Sequence, residues 1–369
     1  MPIEKVDIDR FLQLSLQHPV LDVRSPGEYD HAHIPGAYSL PLFTDEQRAV
    51  VGTAYVQQNR QTAVDLGLNF FSERMKKIPE NVLQIIAEKN TVNNSFENKT
   101  LLIHCWRGGM RSGAVAWLLS LYGYNIFTLS GGYKAFRNRV LSQFEKKYSL
   151  NVLGGFTGSG KTEILKELER KGNIVIDLEK LANHKGSAFG SLGEKKQPGH
   201  EMFENLLAME LIKATEIGNN GNAYTKNVLP EIWVEDESNH IGSVGIPKKF
   251  WEQMRTSPLF FLDIPFNERL QYITGTYGRF HKEDLANCVL KIQKRLGGLN
   301  TKNVIQFLKE DHFTEAFSVL LKYYDKMYSE SLNNRENVQF LLKKIVCNNV
   351  DISNVMKLNN VNCTRSSVN

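Results

Sequence analysis

A cysteine loop is the first segment of this chain whose residues could do chemistry. Residues 104–112, HCWRGGMRS, follow an apolar stretch, so the sequence predicts that Cys105 lies where a strand turns into a helix. There, backbone N–H groups and the positive end of the helix dipole stabilise a thiolate. Gly108 and Gly109 let the amides converge on one point, and Arg111 can hold an anion there in a bidentate fork. The segment therefore predicts Cys105 and Arg111 as catalytic residues in an anion-binding loop.

A second anion loop spans residues 155–162, GFTGSGKT, and is a complete P-loop motif. Its glycines turn backbone N–H groups toward phosphate oxygens, Lys161 supplies a positive charge, and Thr162 can reach a metal ion. The predicted phosphate-binding residues are Gly155, Gly158, Ser159, Gly160, Lys161 and Thr162. The motif leaves the ligand open, since a nucleoside triphosphate is the common one and a different diphosphate is the alternative.

Carboxylates and an arginine beyond the P-loop complete the candidate set in the second half of the chain. Asp177 ends one predicted strand, and Glu235 and Asp236 end another in the manner of a Walker B strand. These carboxylates could hold Mg²⁺ through water or position a substrate. Helix capping or a solvated turn is the alternative for Glu235, Asp236 and the following Glu237. Arg269 follows the predicted strand 259–263, where small P-loop kinases have an arginine that contacts phosphate.

The charge balance permits a nucleic-acid partner without requiring one, since 45 Lys and Arg against 40 Asp and Glu leave a net charge of +5. Two basic clusters are candidate RNA contacts, and a phosphate clamp or a solvated surface is the alternative for the second. They comprise Lys134, Arg137 and Arg139 in the first half and Lys291, Lys294 and Arg295 in the second. On a continuous helix, Lys291 and Arg295 would share one face.

Cysteine usage and hydropathy exclude several classes of protein. The four cysteines, at positions 105, 288, 347 and 363, have no C-x-x-C spacing, which argues against a disulfide framework or a structural zinc site. Residues 1–10 are charged and lack the apolar core of a signal peptide. No apolar run approaches membrane-spanning length. We therefore expect a soluble, cytoplasmic protein with reduced thiols and no membrane partner.

The elements that must position these residues alternate between strand and helix, which predicts parallel sheets covered by helices on both faces. In the first half, strands are predicted at residues 20–23, 38–42, 101–104 and 125–129, with helices at 113–122, capped by Ser112, and at 133–144. In the second half, a strand at Leu150 leads into the P-loop, which is followed by a predicted helix at 162–171. Further strands are predicted at 174–177, 232–235 and 259–263, and helices over much of 266–327.

This pattern predicts a fold of the α/β class with two domains. The first covers residues 1–145 with a helical insertion at about 44–90, and the second is a P-loop kinase-like domain over residues 150–347. From residue 348 to 369 the chain is rich in Asn and Ser, and this tail is predicted to be disordered.

The first domain resembles the rhodanese family. Beyond the cysteine loop, the resemblance rests on LDVRSPGEY at residues 21–29 and HIPGA at 33–37. It implies a rhodanese-like parallel sheet, a cysteine that carries sulfur as a persulfide, and Asp22 and Arg24 beside the loop, as catalytic residues or as a structural ion pair. Most sulfurtransferase rhodaneses have four residues between the cysteine and the arginine, whereas this chain has five, at 106–110. The wider loop is similar to that of rhodanese-fold phosphatases and arsenate reductases.

The chain as a whole resembles the tRNA 2-selenouridine synthase family, in which a rhodanese-like domain is followed by a P-loop NTPase-like α/β domain. Five further segments carry this resemblance: VGTAY at 51–55, LSGGYK at 129–134, HKGSAFG at 184–190, WVEDES at 233–238 and KRLGG at 294–298.

The resemblance implies a tRNA-modifying selenotransferase with geranyltransferase activity. Its substrate would be tRNA with 2-thiouridine at the wobble position. The sulfur is first S-geranylated from geranyl diphosphate, and selenium from selenophosphate then replaces the geranylated sulfur. Geranyl diphosphate and selenophosphate would be co-substrates, with Mg²⁺ as an accompanying ion and no covalently bound cofactor. A selenophosphate-producing enzyme would be a partner.

Several alternatives stay open at the level of sequence. The P-loop could bind geranyl diphosphate, selenophosphate or ATP, and Cys105 could carry selenium or bond transiently to the displaced group. A different reading is a rhodanese-fold phosphatase, arsenate reductase or plain sulfurtransferase fused to a P-loop nucleotide-binding domain. A third is an RNA-binding scaffold with inactive domains, against which the intact Cys105, Arg111, Lys161 and Thr162 argue.

Overall fold

The computed structural model describes residues 3–92, 99–220 and 229–358. The chain divides into two compact units, Met1–Gln143 and Phe144–Asn369. Each unit is built on a five-stranded sheet whose neighbouring strands run parallel. The predicted fold class, two successive parallel α/β domains, is confirmed. Within the described residues, no helix is long and apolar enough to cross a membrane.

The sheet of the first unit has the strand order β1-β5-β4-β2-β3. Its strands are β1 Ile3–Val6, β2 Val20–Asp22, β3 Tyr38–Ser39, β4 Thr100–His104 and β5 Asn125–Leu129. Its helices are α1 Ile8–Ser15, α2 Pro26–His31, α3 Asp45–Gln57, α4 Arg60–Arg74, α5 Lys77–Val92, α6 Met110–Leu121 and α7 Gly132–Phe144. The sequence pattern does not predict β1, because three of its four residues are exposed at the edge of the sheet and carry no apolar alternation.

Strand β4 lies at the centre of this sheet and leads directly into the cysteine loop. All of its residues are buried, as expected for a parallel strand covered on both faces. Its last residue, His104, pairs with Asp22 at the end of β2. Parallel strands end at the same edge of a sheet, so Asp22 and Cys105 lie at one edge.

Three helices, α3 to α5, occupy the segment predicted as a helical insertion. Helix α3 begins with a capping box, in which Gln47 N donates to Thr44 Oγ1 at 3.2 Å and Thr44 N donates to Gln47 Oε1 at 3.0 Å. Helices α3 and α4 fully bury few side chains, namely Ala54 in α3 and Ala63 and Phe71 in α4. Most of the apolar side chains of these two helices are therefore not fully buried in the core.

The start of α7 holds the cysteine loop in place. Tyr133 N donates to Cys105 O at 2.8 Å, and Lys134 N donates to Trp106 O at 3.0 Å. Gly132 has a φ of +60°, and a Cβ atom there would lie 2.3 Å from Cys105 O. Only glycine permits this approach, so the residue fixes the path of the loop.

The sheet of the second unit has the order β12-β11-β6-β8-β7, and β9 and β10 form a separate antiparallel pair. The strands are β6 Ser149–Gly155, β7 Ile174–Ile176, β8 Glu231–Glu235, β9 His240–Ile241, β10 Val244–Gly245, β11 Leu259–Asp263 and β12 Leu342–Val346. The helices are α8 Lys161–Arg170, α9 Leu178–Ala182, α10 His200–Asn220, α11 Lys248–Thr256, α12 Phe266–Tyr277, α13 Lys282–Lys291, α14 Gln293–Leu296, α15 Gly298–Lys309, α16 Phe313–Asn333 and α17 Val338–Leu341, followed by a 3₁₀ helix at Ile352–Asn354.

The segment after β12 belongs to the core of the second unit. Val355 is 2% exposed and Leu358 is fully buried, in a cluster that includes Leu165 of α8. The predicted disordered tail is therefore wrong for residues 348–358, because two apolar side chains in an Asn-rich segment find a core to fill. The remainder of the predicted tail, 359–369, lies outside the described residues.

The close approach at Gly132 predicts a large difference between two glycine-to-alanine variants. Gly36 also has a positive φ, +83°, but a Cβ atom there would meet nothing within 4 Å. Gly36→Ala should cost only the left-handed backbone strain, about 1–2 kcal/mol. Gly132→Ala should cost at least about 3 kcal/mol, because the cysteine loop must move as well. Urea unfolding followed by circular dichroism compares the two, and equal midpoints would contradict this account of the loop.

Candidate active site

The Cys105 sulfur lies between β4 and α6, surrounded by hydrogen-bond donors. Gly109, the N-cap of α6, donates its N–H to Cys105 Sγ at 3.4 Å, and Ser112 Oγ lies 3.3 Å from the same sulfur. The prediction that Ser112 caps this helix is wrong. The helix begins at Met110, so Ser112 lies in its first turn and its hydroxyl reaches the thiol.

These donors favour the thiolate form of Cys105. Burial acts to raise the pKa of Cys105, but the hydrogen bonds from Ser112 and Gly109 and the charge of Arg111 lower it by more. The net pKa lies below the ordinary value of a thiol. The prediction of an activated cysteine is thus supported by the geometry of its loop.

Arg111, the predicted anion ligand, is already paired with a carboxylate. Its Nη1 donates to Glu28 Oε2 at 2.6 Å and its Nη2 donates to Glu28 Oε1 at 3.3 Å. Burial acts to raise the pKa of Glu28, but the bond from Arg111 outweighs it, so Glu28 is ionised. Glu28 also forms a capping box with Ser25 at the start of α2. The Ser-x-x-Glu spacing in the sequence is a signal for this capping role, but it does not reveal the pairing with Arg111. An anion bound by Arg111 must compete with Glu28.

Asp22 and Arg24 form a buried ion pair. Arg24 Nη2 donates to Asp22 Oδ2 at 2.6 Å and to Ala32 O at 2.8 Å, and its guanidinium lies 3.8 Å from the centre of the Tyr133 ring. The two side chains are 1% and 0% exposed. The prediction that they are catalytic residues is not supported, because at this burial neither side chain can contact a substrate. The geometry matches the structural alternative, in which they hold α7 against the sheet.

An apolar cavity of about 510 Å³ opens beside Cys105. Its walls come from α3, α4, the start of α6 and the cysteine loop, including Val51, Leu68, Phe71 and Met110. The sequence analysis did not predict this cavity, since helices α3 and α4 show no amphipathic pattern that separates a core face from a cavity face.

The P-loop connects β6 to α8, as predicted. Gly155 ends the strand, Lys161 begins the helix, and Gly158 and Gly160 have positive φ values of +82° and +72°. Lys161 Nζ donates to Gly155 O at 3.1 Å. Ser159 Oγ is buried without a hydrogen-bond partner among the described residues. The loop therefore has the form of a phosphate cradle.

The carboxylates nearest the P-loop are not the predicted ones. Thr162 Oγ1 donates to Glu179 Oε2 at 3.3 Å, and Glu179 in turn shares a side-chain hydrogen bond with Glu237. Burial first, and the neighbouring Glu179 charge second, hold the pKa of Glu237 well above its usual value, while Lys161 acts to lower it. Burial also raises the pKa of Glu179, with which Glu237 shares its hydrogen bond.

The three predicted carboxylates have other partners. Asp177 accepts from Lys180 N at 2.7 Å and caps α9. Glu235 is fully buried, and its Oε2 accepts from Leu178 N at 2.9 Å. These oxygens stabilise the start of α9, and a role for the two carboxylates at a metal or substrate stays a prediction.

Asp236 is held by two residues from the far end of the chain. Tyr328 Oη donates to Asp236 Oδ2 at 2.6 Å, and Arg335 Nη1 donates to Asp236 Oδ1 at 3.2 Å. The Tyr328 hydroxyl also accepts from Gly155 N at 3.3 Å. Asp236 therefore supports the P-loop backbone rather than offering a free carboxylate.

Arg269 supports the P-loop from the other side. It is 3% exposed, pairs with Asp325 at 2.8 Å, and donates to Thr157 O at 3.1 Å. The prediction of direct phosphate contact is not supported, since Asp325 neutralises the guanidinium and burial keeps it from solvent. Its bond to Thr157 makes it a positioning residue for the loop.

The predicted tRNA contacts lie on helical surfaces of their own units. Lys134 is exposed, and Arg139 pairs with Asp9 at 2.9 Å. Arg137 lies one turn from Lys134 on the same helix, α7. In the second unit Lys291, Lys294 and Arg295 are all exposed. Lys291 ends α13 and Arg295 lies in α14, so the predicted shared helix face is wrong.

Comparison with known families identifies both units. A rhodanese-like domain model matches residues 8–139, and a model of the tRNA 2-selenouridine synthase AAA domain matches residues 148–350. The protein named tRNA 2-selenouridine synthase from Sulfurovum sp. (strain NBC37-1) is 33% identical over 341 residues, which cover 84% of this chain and 87% of that protein. This chain belongs to the tRNA 2-selenouridine synthase family. The predicted rhodanese-like and P-loop domains are thereby confirmed.

Other relatives of the same name are similar over an even larger share of their length. The protein from Bdellovibrio bacteriovorus (strain ATCC 15356 / DSM 50701 / NCIMB 9529 / HD100) is 33% identical over 386 aligned residues, covering 93% of this chain and 96% of that protein. The protein from Nitrosomonas eutropha (strain DSM 101675 / C91 / Nm57) is 30% identical over 379, covering 90% and 93%.

The environment of Cys105 predicts the order in which the cysteines react. Burial raises the pKa of Cys288 and of Cys347, whereas the pKa of Cys105 is lowered. Cys105 also lines an open cavity. Iodoacetamide at neutral pH should therefore alkylate Cys105 at least about tenfold faster than Cys288 and Cys347. Peptide mass spectrometry measures these rates. In urea the three rates should converge, and equal rates in the folded protein would show that the loop does not activate Cys105.

Proposed function

We propose that this chain replaces the sulfur of wobble 2-thiouridine in tRNA with selenium, in two steps served by separate anion loops. Membership of the tRNA 2-selenouridine synthase family supports a tRNA-modifying enzyme that leads to selenouridine. One observation supports the division into two steps. Cys105, whose thiol pKa is lowered, lines an apolar cavity in the first unit, whereas Lys161 belongs to a phosphate loop in the second unit.

In the first step, the sulfur of 2-thiouridine attacks C1 of geranyl diphosphate, the carbon–oxygen bond breaks, and diphosphate leaves. Backbone N–H groups of residues 158–161 would bind the diphosphate, and the Lys161 ammonium would stabilise the negative charge that develops on it. Lys161 Nζ donates to Gly155 O, and a diphosphate would offer it a charged acceptor in place of this neutral one.

In the second step, the selenium of selenophosphate replaces the geranylthiolate at C2 of the geranylated pyrimidine. Hydrolysis of the phosphorus–selenium bond then releases phosphate. Arg111 and the loop amides would hold the phosphate group of the donor, with the guanidinium exchanging Glu28 for the substrate. Cys105 would bond transiently to C2: its thiolate would displace the geranylthiolate, and the selenium would then displace the Cys105 thiolate from the same carbon, with no change of oxidation state.

Magnesium would accompany the diphosphate at the P-loop, with Thr162 as the predicted donor. The Thr162 hydroxyl donates to Glu179, and hydroxyl and carboxylate oxygens are hard ligands of the type that Mg²⁺ prefers. Among the described residues, no group of three or more His, Cys, Asp or Glu side chains is arranged to hold a metal ion. A bound Mg²⁺ would neutralise part of the diphosphate charge.

The tRNA contacts would be made by exposed basic residues in both units. Lys134 in the first unit and Lys291, Lys294 and Arg295 in the second are the exposed members of the predicted clusters. Neutralisation of phosphates by these side chains makes tRNA affinity fall steeply with salt. A selenophosphate-producing enzyme would supply the donor, and the cytoplasm is the expected location.

Two variants separate the steps. Lys161→Ala should lower the rate of S-geranylation by about 100-fold or more, because it removes a charge placed where the leaving group develops its own. The same variant should still convert chemically geranylated tRNA with selenophosphate. Cys105→Ser should do the reverse, forming geranylated tRNA and stalling there. Mass spectrometry of the wobble nucleoside identifies which species accumulates.

Two outcomes would contradict the proposal. Normal geranylation by Lys161→Ala would mean that the P-loop binds ATP or the selenium donor instead. Full selenation by Cys105→Ser would remove Cys105 from the mechanism.

The five-residue spacing between Cys105 and Arg111 favours one second candidate, a rhodanese-fold phosphatase or arsenate reductase. This candidate leaves unexplained the match of residues 148–350 to the tRNA 2-selenouridine synthase AAA domain. Nucleic acid that co-purifies with the protein, seen as excess absorbance at 260 nm, would favour the tRNA enzyme. Hydrolysis of p-nitrophenyl phosphate that depends on Cys105 would favour the phosphatase.

A further inference from the structure

Helices α3 and α4 expose more apolar side chains than they bury in the core. Val56 is 82% exposed, Tyr55 is 55% exposed and Leu68 is 57% exposed, although all three are large. Apolar surface of this kind, gathered in one place, marks a site that something else covers.

The exposed apolar side chains face a common space. Tyr55 and Val56 of α3, Leu68 of α4 and Met110 of α6 all line the cavity of about 510 Å³ that reaches Cys105. This volume lies in the range of sites that bury a whole small ligand, roughly 300–1,000 Å³. The cavity is thus large enough for a branched hydrocarbon chain whose end lies beside the thiol.

Three arginines line the cavity together with its apolar side chains: Arg48, Arg107 and Arg111. Arg111 is bonded to Glu28, and Arg48 Nε lies 4.0 Å from the same carboxylate. An apolar cavity that includes several cations fits a hydrophobic group attached to an anionic carrier, such as a nucleic acid.

We propose that this cavity binds the geranyl chain of S-geranylated tRNA, which seats the prenyl group between α3 and α4 while sulfur is exchanged for selenium beside Cys105. The inference rests on the proposed function and gives its second step a binding site in the first unit. In this assignment the geranyl chain binds in the cavity of the first unit, whereas the diphosphate binds at the P-loop of the second unit. The helical insertion is then the part of the fold that recognises the geranylated intermediate.

Chain-length selectivity follows from this assignment. Each buried methylene group is worth roughly a factor of 4 in binding, so an S-geranyl substrate should be favoured over an S-methyl substrate. We expect the wild-type enzyme to convert a chemically S-geranylated anticodon stem-loop with a kcat/KM at least about 100-fold above that of the S-methyl stem-loop.

Two glycines allow the cavity to be filled without disturbing the helices. A Cβ atom at Gly52 would meet nothing within 4 Å, and one at Gly67 would be in ordinary contact with Phe43 Cζ at 3.5 Å. Both glycines line the cavity and lie inside helices, where leucine has the higher helix propensity. Gly275→Leu is the matched control, because that glycine is also helical and exposed but lies in α12.

Gly52→Leu and Gly67→Leu should each lower kcat/KM for the geranylated stem-loop by about tenfold or more, while Gly275→Leu should not. The ratio of kcat/KM for the geranylated stem-loop to that for the S-methyl stem-loop should fall in both cavity variants and stay unchanged in Gly275→Leu, which separates loss of the chain site from loss of the chemistry. Unchanged selectivity in both cavity variants overturns the assignment and leaves the proposed function standing. Failure of the wild-type enzyme to convert geranylated RNA would instead refute the proposed function.

A binding measurement tests the site without turnover. The nucleoside S-geranyl-2-thiouridine should slow alkylation of Cys105 by iodoacetamide in the wild type at least fivefold, and S-methyl-2-thiouridine should not. The protection should weaken in Gly52→Leu and persist in Gly275→Leu. Equal protection by both nucleosides, or protection by neither, would show that the cavity does not hold the geranyl chain.

Discussion

The stabilisation of a buried thiolate at Cys105 is the constraint on which the first unit depends. The residue is only 3% exposed, so burial alone would keep its thiol protonated. The N–H of Gly109, the hydroxyl of Ser112 and the charge of Arg111 reverse that preference. The end of β4, the start of α6 and the amides of α7 bonded to the loop all serve to hold these groups around one sulfur.

The cation of each anion loop already has a partner. Glu28 pairs with Arg111 in the first unit, and Lys161 Nζ donates to Gly155 O in the second. An incoming anion must bring enough negative charge to displace or share these partners. The arrangement disfavours weakly charged anions, and it suits a diphosphate at the P-loop and a selenophosphate at the cysteine loop.

Much of this architecture could be predicted from the sequence, because its signals are local. The strand before each loop, the glycines that curl it and the helix after it are consecutive in the chain, as in residues 101–112 and 150–162. The partners of each charged residue were not predictable, since they come from distant positions: Glu28 for Arg111, Asp325 for Arg269, and Tyr328 for Asp236. For the same reason the apolar cavity was missed, because its walls converge only in the folded unit.

The dependence of selenium incorporation on pH tests the central claim most directly. The rate of conversion of a geranylated stem-loop and the rate of Cys105 alkylation should both fall with decreasing pH around the same midpoint, the pKa of the thiol. Ser112→Ala removes a hydrogen bond that lowers this pKa, so it should move both midpoints upward together. A conversion profile that stays in place while the alkylation profile shifts would show that the Cys105 thiolate does not take part in the exchange.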